Sequence, residues 1–165
     1  MGRTPCVRVP APVSDIIDAT ATIAEVARVH RDGVLSPIDV TEACLVRVAE
    51  RDGHLSAFAT VTADRARAQA RRAAAEVGDD PQMTTPLLGI PVGVKDIVDV
   101  AGVTTAAGCA ALAGRRAARG ATAWRRLADA GAVLVGTTQT HELASSPPAC
   151  CGPLRCAAPS PRRRR

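Results

Sequence analysis

Aromatic side chains are nearly absent from this chain, and that shortage limits how its core can form. Phe58 and Trp124 are the only Phe, Tyr or Trp residues, although 47% of the sequence is apolar. A core of Ala, Val, Leu and Ile is best built from helices packed in layers against a sheet. The sequence therefore predicts one domain with such layers, and it lacks the aromatic platforms on which proteins stack single-stranded nucleic acid.

The net charge of +5 is concentrated at the C-terminal end of the chain. Residues 1–144 carry 16 basic and 16 acidic side chains, whereas residues 145–165 carry five arginines and no acid. A nucleic-acid-binding domain would instead spread its basic residues along one face. We therefore expect no nucleic-acid partner.

The six cysteines form no CxxC pair and lie at no metal-ligand spacing with a histidine, which predicts free thiols and no zinc. His141-Glu142 does not extend to an HExxH motif, because Ser145 occupies the place of the second histidine. The first residues lack the apolar run of a signal peptide, and no window approaches the roughly 18 consecutive apolar residues of a membrane span. These features predict a cytoplasmic protein with no membrane partner, and no cofactor or metal is expected.

Helical spacing and capping residues predict two helices in the first third of the chain. The first covers Thr22–Arg31, and the second begins at Ser36-Pro37, with the Asp39 carboxylate in its first turn, and runs to about Arg51. Asp-Gly pairs at 32–33 and 52–53 mark their predicted ends. The predicted buried face of the first helix consists of Ile23, Val26, Ala27 and His30. That of the second consists of Val40, Cys44, Leu45 and Val48.

Two further helices are predicted from the same signals. One runs from Ala63 to about Val77, is capped by Thr62 and is stopped by Gly78. Its arginines at positions 65, 67, 71 and 72 are expected to form a solvated face, with anion binding as the alternative. The other covers Ala121–Ala130. Its predicted buried face consists of Trp124, Leu127 and Ala128.

Short strand-like runs lie between and after the predicted helices, at residues 58–61, 90–94 and 132–135. Residues 101–120 are rich in Gly and Ala without a clear period, which predicts a loop with a short helical piece. Because helices alternate with short strands, the pattern favours an α/β fold with a partly parallel sheet.

Lys95, at the end of the second predicted strand, is the single lysine of a chain that has 20 arginines. Arginine cannot lose its proton near neutral pH, whereas a lysine in an apolar setting can do so and act as a base. The alternatives are a structural ion pair with Asp96 or Asp99, or a lysine with no special role.

The residues around Lys95 favour the first interpretation. Residues 86–108 read PLLGIPVGVKDIVDVAGVTTAAG, and residues 130–144 read AGAVLVGTTQTHELA. Both segments resemble the amidase-signature family, the first around its catalytic lysine and the second in its following strand and turn. The resemblance covers about residues 20–144. Thr137 departs from it, since the family has a lysine at this position.

The resemblance implies a layered amidase-signature fold, with a mixed sheet flanked by helices and incomplete at the C-terminal side. It implies hydrolysis of a small-molecule carboxamide by a serine, a cis-serine and a lysine, and Lys95 is the one position of that triad that matches. The glycine- and serine-rich loop that carries the serines does not occur in this sequence, and Ser145-Ser146 precede Pro147-Pro148 instead. We therefore expect a truncated chain that is inactive alone. A fragment of the family's amidotransferase subunit, which amidates mischarged tRNA, is an alternative.

The composition changes abruptly after Ala144. Residues 145–165 contain five prolines, three cysteines and five arginines. We predict an N-terminal arm over residues 1–20, the N-terminal part of an amidase domain over 21–144, and a tail over 145–165 that is disordered or read out of frame. The alternatives are a natural basic extension and a non-catalytic remnant whose tail binds anions.

Overall fold

The computed structural model describes residues 21–79 and 85–145. In chain order these contain α1 (Ile23–Arg31), α2 (Pro37–Leu55), β1 (Phe58–Val61), α3 (Ala63–Asp79), β2 (Pro91–Lys95), α4 (Thr122–Asp129) and β3 (Val133–Thr138). Two short 3₁₀ turns, Ala110–Leu112 and Glu142–Ala144, follow β2 and β3 respectively. The predicted arm over 1–20 and the predicted tail, apart from Ser145, lie outside the described residues.

The three strands form one mixed sheet in the order β1-β3-β2. The central strand, β3, runs antiparallel to β1 and parallel to β2. The partly parallel sheet predicted from the alternation of helices and strands is therefore confirmed. In the parallel pair, Lys95 lies opposite Thr138 at the C-terminal ends of both strands.

Helices cover both faces of the sheet. On one face, α2 and α3 pack on β3 through small aliphatic side chains: Leu45, Ala66, Ala70, Val133 and Val135. On the other face, α4 and the loop after β2 enclose Val94, Val100, Val103, Trp124 and Leu134. α1 packs in a third cluster with Leu35, Val40 and Ile90. The core is thus layered and aliphatic, as the scarcity of aromatic residues predicts.

The start of α2 follows its predicted cap and α1 begins at a cap of the same kind, whereas the hydroxyl of Thr62, the predicted cap of α3, donates to the Leu134 carbonyl at 3.0 Å. Thr22 and Glu25 form a capping box at the start of α1, and Ser36 and Asp39 form another at the start of α2. In each box the hydroxyl accepts from a backbone N–H of the first turn, and the carboxylate accepts from the N–H of the capping residue. Pro37 in the first turn completes the predicted start of α2.

The end of α2 was predicted wrongly. The helix does not stop at Asp52-Gly53 but continues to Leu55, and Ser56 ends it with a left-handed φ of 47°. The Asp52 carboxylate then accepts hydrogen bonds from the N–H groups of Ala57 (2.7 Å) and Phe58 (3.1 Å), which ties the helix end to β1. The Asp52 side chain thus stabilises the connection between α2 and β1, and Gly53 lies inside α2.

Two predicted buried faces also differ from the structure. In α1, Ile23 is 54% exposed, and Val29 is buried beside Val26 and His30 instead. The reason is that Leu35, Val40 and Ile90, which cover this helix, cluster with Val26 and Val29. In α2, the buried stripe is Pro37, Val40, Thr41 and Leu45, while Cys44 and Val48 are half-buried.

The chain from Phe58 onward follows the prediction more closely. The strand at 58–61 and the helix around Trp124 are confirmed, and residues 101–120 form a loop with one 3₁₀ turn. β2 ends on Lys95, and β3 extends to Thr138, three residues beyond its predicted end. None of the described helices combines the length and apolar character needed to cross a bilayer.

Candidate functional site

The C-terminal ends of β2 and β3 lie side by side because the two strands are parallel, and Lys95 is the last residue of β2. The next residue continues the pairing, since the Asp96 N–H donates to the Thr138 carbonyl at 2.9 Å. In open α/β sheets, ligands bind in the crevice outside the carboxyl ends of parallel strands. The predicted site residue therefore lies at the sheet edge where this architecture builds its sites.

The side chain of Lys95 is exposed. Side chains alternate along a strand, so Lys95 shares a face of the sheet with Gly93 and Pro91. Gly93 is also exposed, whereas Val94, on the opposite face, is buried in the cluster around Trp124. Lys95 thus lies over a part of the sheet that the described helices leave open.

Neither ion pair that was the alternative interpretation of Lys95, with Asp96 or with Asp99, forms within the described residues. Asp99 instead makes a two-pronged pair with Arg115, with N–O distances of 2.7 and 2.8 Å. Hydrogen bonding to Arg115 is the main reason that the pKa of Asp99 lies below its ordinary value. Asp96 is 3% exposed, and its Oδ1 accepts from the Ala106 N–H at 3.2 Å.

The loop after β2 and the turn after β3 contact each other at this edge of the sheet. The Ala107 N–H donates to the Asp96 carbonyl at 2.9 Å, and the Ala107 carbonyl accepts from the Leu143 N–H at 2.7 Å. Gly108, with φ at +66°, approaches so closely that a Cβ there would lie 3.1 Å from the backbone nitrogen of Glu142. The loop after β2 and the turn after β3 therefore form one packed unit beside Lys95.

Backbone strain concentrates in this unit. Of the four non-glycine residues with positive φ in the described chain, three lie here: Ala107 (51°), Leu143 (50°) and Ala144 (57°). Such conformations cost on the order of 1–3 kcal/mol each and are found most often at functional sites. The strained residues and Lys95 therefore lie at the same edge of the sheet.

Three other candidate residues lie on the turn after β3. His141, Glu142 and Ser145 are exposed on the turn. In the part of the chain that the structure describes, no group of three His, Cys, Asp or Glu side chains could hold a metal ion. Ser146 lies outside the described residues.

An open groove of about 350 Å³ lies between α2 and the sheet, on the face that Lys95 shares. Its apolar lining includes Val48, Leu55, Phe58, Pro91 and Gly93, and Arg47, Arg51 and Asp52 add charge. Cys44 also lines it as a free thiol, and burial raises the pKa of that thiol although Arg47 opposes the shift. Sequence reasoning missed this groove, because it assigned Cys44 and Val48 to the buried face of α2.

Asp96 is the second feature that sequence reasoning missed. It was considered only as an ion partner of Lys95, whereas the structure buries it against the loop after β2. Its position directly after the last strand residue was the available signal, since side chains of successive residues point to opposite faces.

Comparison with known proteins gives one consistent family. The family model named Amidase matches residues 39–154. The chain is 40% identical over 123 residues to an amidase of Pseudomonas putida, covering 74% of this chain and 26% of that relative. It is 42% identical over 112 residues to a glutamyl-tRNA(Gln) amidotransferase subunit of Chloroflexus aggregans, covering 68% of this chain and 23% of that relative.

Solved structures agree with these relatives. The native peptide amidase of Stenotrophomonas maltophilia superposes with a TM-score of 0.69 at 34% identity, covering 75% of this chain and 26% of that one. The chain thus spans about a quarter of the length of the relatives that it matches.

Proposed function

The chain belongs to the amidase family, and on this premise we propose that Lys95 is the general base of an enzyme that hydrolyses a carboxamide. The observation that carries the proposal is the position of Lys95. The single lysine of the chain ends a parallel strand at the edge of the sheet where the strained backbone lies.

In the proposed reaction the neutral Lys95 amine accepts a proton that a cis-serine relays from the nucleophilic serine. The serine oxygen bonds to the carbonyl carbon, the C–N bond breaks, and the amine leaves with the proton. Water then hydrolyses the acyl-enzyme. Of these groups the chain supplies the proposed base, Lys95, but not the two serines, because its sequence contains no glycine- and serine-rich loop that could carry them. We therefore propose that these 165 residues do not hydrolyse amides unaided.

The exposure of Lys95 bears on the same proposal. A lysine acts as a base when its ammonium group is removed from water, because dehydration disfavours the charged form. The described residues leave the side chain exposed. We propose that the base function requires further polypeptide over this edge, in keeping with relatives of which this chain covers only 26%.

A second candidate function is that of an amidotransferase subunit. It is supported by the 42% identity over 112 residues to the Chloroflexus protein, a level that the amidase-family protein AmiB2 of Mycobacterium tuberculosis equals over 129 residues. Amide turnover that depends on an added glutamyl-tRNA(Gln) acceptor would favour this candidate, and turnover of a simple carboxamide alone would favour the first. For either, a reducing cytoplasm is proposed as the setting, supported by the free thiols of Cys44 and Cys109.

The test is a chimera in which this chain replaces the matching quarter of the Pseudomonas putida amidase. We expect it to hydrolyse an aryl amide, and Lys95→Ala to lower kcat by about 10²- to 10⁴-fold, the usual contribution of general base catalysis. Arg119→Ala, which removes an exposed cation elsewhere, is the matched control and should change little. Equal rates in the parent chimera and in Lys95→Ala would contradict the proposal.

A further inference from the structure

Asp96 is a buried carboxylate beside the proposed base that the reaction does not use. It is 3% exposed, and no arginine or lysine pairs with it within the described residues. Buried polar groups are normally hydrogen-bonded, so the hydrogen-bond partners of Asp96 indicate what its side chain does.

Asp96 joins three segments at the edge of the sheet. Its N–H donates to the Thr138 carbonyl at 2.9 Å, at the end of β3. Its carboxylate accepts from Ala106 at 3.2 Å, and its carbonyl accepts from Ala107 at 2.9 Å, so both ends of the residue hold the loop after β2. That loop in turn accepts the hydrogen bond from Leu143 in the turn after β3.

We propose that Asp96 is a positioning residue, whose carboxylate fixes the loop over 104–108 against the end of β2 and thereby holds Lys95 at its place on the edge. This inference rests on the proposed function, since it gives Asp96 its purpose in placing the base. The carboxylate acts as a hydrogen-bond acceptor of fixed reach. Its negative charge is not what the loop needs, because the partner is a neutral backbone N–H.

The acceptor and the charge can be separated by two substitutions. Asp96→Asn keeps the size of the side chain and an acceptor oxygen but removes the charge. Asp96→Glu keeps the charge but moves the acceptor one methylene further out. Asp129→Ala, which removes an exposed carboxylate at the end of α4, is the control.

The readout uses the single lysine of the chain. Lysine labelled with ¹³C and ¹⁵N gives one backbone amide and one side-chain signal set, both from Lys95. Hydrogen exchange at the amides of Ala106, Ala107 and Leu143 reports on the loop and the turn. Loss of global stability would add unfolded signals without moving the native ones, so a displaced native signal identifies a local change.

We expect Asp96→Asn and Asp129→Ala to retain the wild-type Lys95 signals. Asp96→Glu should shift or broaden them and speed loop exchange by about 2- to 10-fold, the loss expected for one hydrogen bond whose strength does not depend on the charge. Wild-type behaviour of Asp96→Glu would overturn the proposal. A displaced Lys95 signal in Asp96→Asn would also overturn it, and this result decides alone if Asp96→Glu fails to fold. Because these signals report position and not turnover, they are independent of whether the chimera hydrolyses amides.

Discussion

Gly136 in the central strand β3 pairs with Val61 of β1, and replacing it with alanine should separate the two strands. A Cβ at this position would overlap the carbonyl oxygen of Thr60 and would lie 2.9 Å from Cδ1 of Phe58 and 3.1 Å from Cα of Val61. Two of these three atoms belong to the backbone. The overlap cannot be relieved by rotating a side chain, so β1 must move.

The size of the effect follows from the bonds on either side of the contact. The Thr62 N–H donates to the Val135 carbonyl, and the Gln139 N–H donates to the Ala57 carbonyl, both at 2.8 Å. A shift of about 1 Å would lengthen them to about 3.8 Å, beyond hydrogen-bond range. Two lost bonds at about 0.5–1.5 kcal/mol each, with about 1–3 kcal/mol for overpacking, give a destabilisation of roughly 2–6 kcal/mol.

Urea unfolding followed by the fluorescence of Trp124 measures this change, because Trp124 is the single tryptophan and is 3% exposed. The matched control is Gly53→Ala in α2, where nothing lies within 4 Å of the added methyl group. That control should stabilise the protein by about 0.5–1 kcal/mol, as alanine does in a helix interior. A free energy of unfolding for Gly136→Ala within about 0.5 kcal/mol of wild type would refute the packing argument.

Two further predictions concern titrating groups. Hydrogen bonding to Arg67 holds the pKa of Glu42 below its ordinary value of 4.5, so the pair stabilises the fold above that pH and loses this contribution as pH falls through the folded-state pKa. The difference in unfolding free energy between wild type and Arg67→Ala should therefore shrink between about pH 6 and about pH 3, and a constant difference would contradict it. Burial raises the pKa of Cys44, so iodoacetamide at about pH 8 should label this thiol more slowly in the folded protein than in urea, as measured by peptide mass spectrometry; equal rates would argue against the burial of Cys44.

Features set by neighbouring residues were predictable from the sequence. The capping boxes at Thr22 and Ser36 need residues three positions apart, and both helices start at these caps. The placement of Lys95 at a strand end follows from the apolar run that precedes it, and β2 ends there. These elements depend on local chemistry that a single segment contains.

Features set by distant partners were not predictable. β3 extends to Thr138 because its last residues pair with Lys95 on one side and with Phe58 on the other. The burial of Asp96 depends on a loop that returns ten residues later to meet its carboxylate. The exposure of Ile23 and the burial of Val29 depend on Leu35, Val40 and Ile90, which pack on α1 from other segments. The spacing of apolar residues within one helix or strand does not reveal these contacts between segments.

The central claim, that Lys95 acts as a base, is tested most directly by Lys95→Arg in the amidase chimera. Arginine keeps the positive charge and much of the length of lysine, but it cannot lose its proton near neutral pH. We expect Lys95→Arg to lower kcat as far as Lys95→Ala does. A Lys95→Arg chimera that retains the parent rate would contradict the claim, because the residue would then serve through its charge and not through proton transfer.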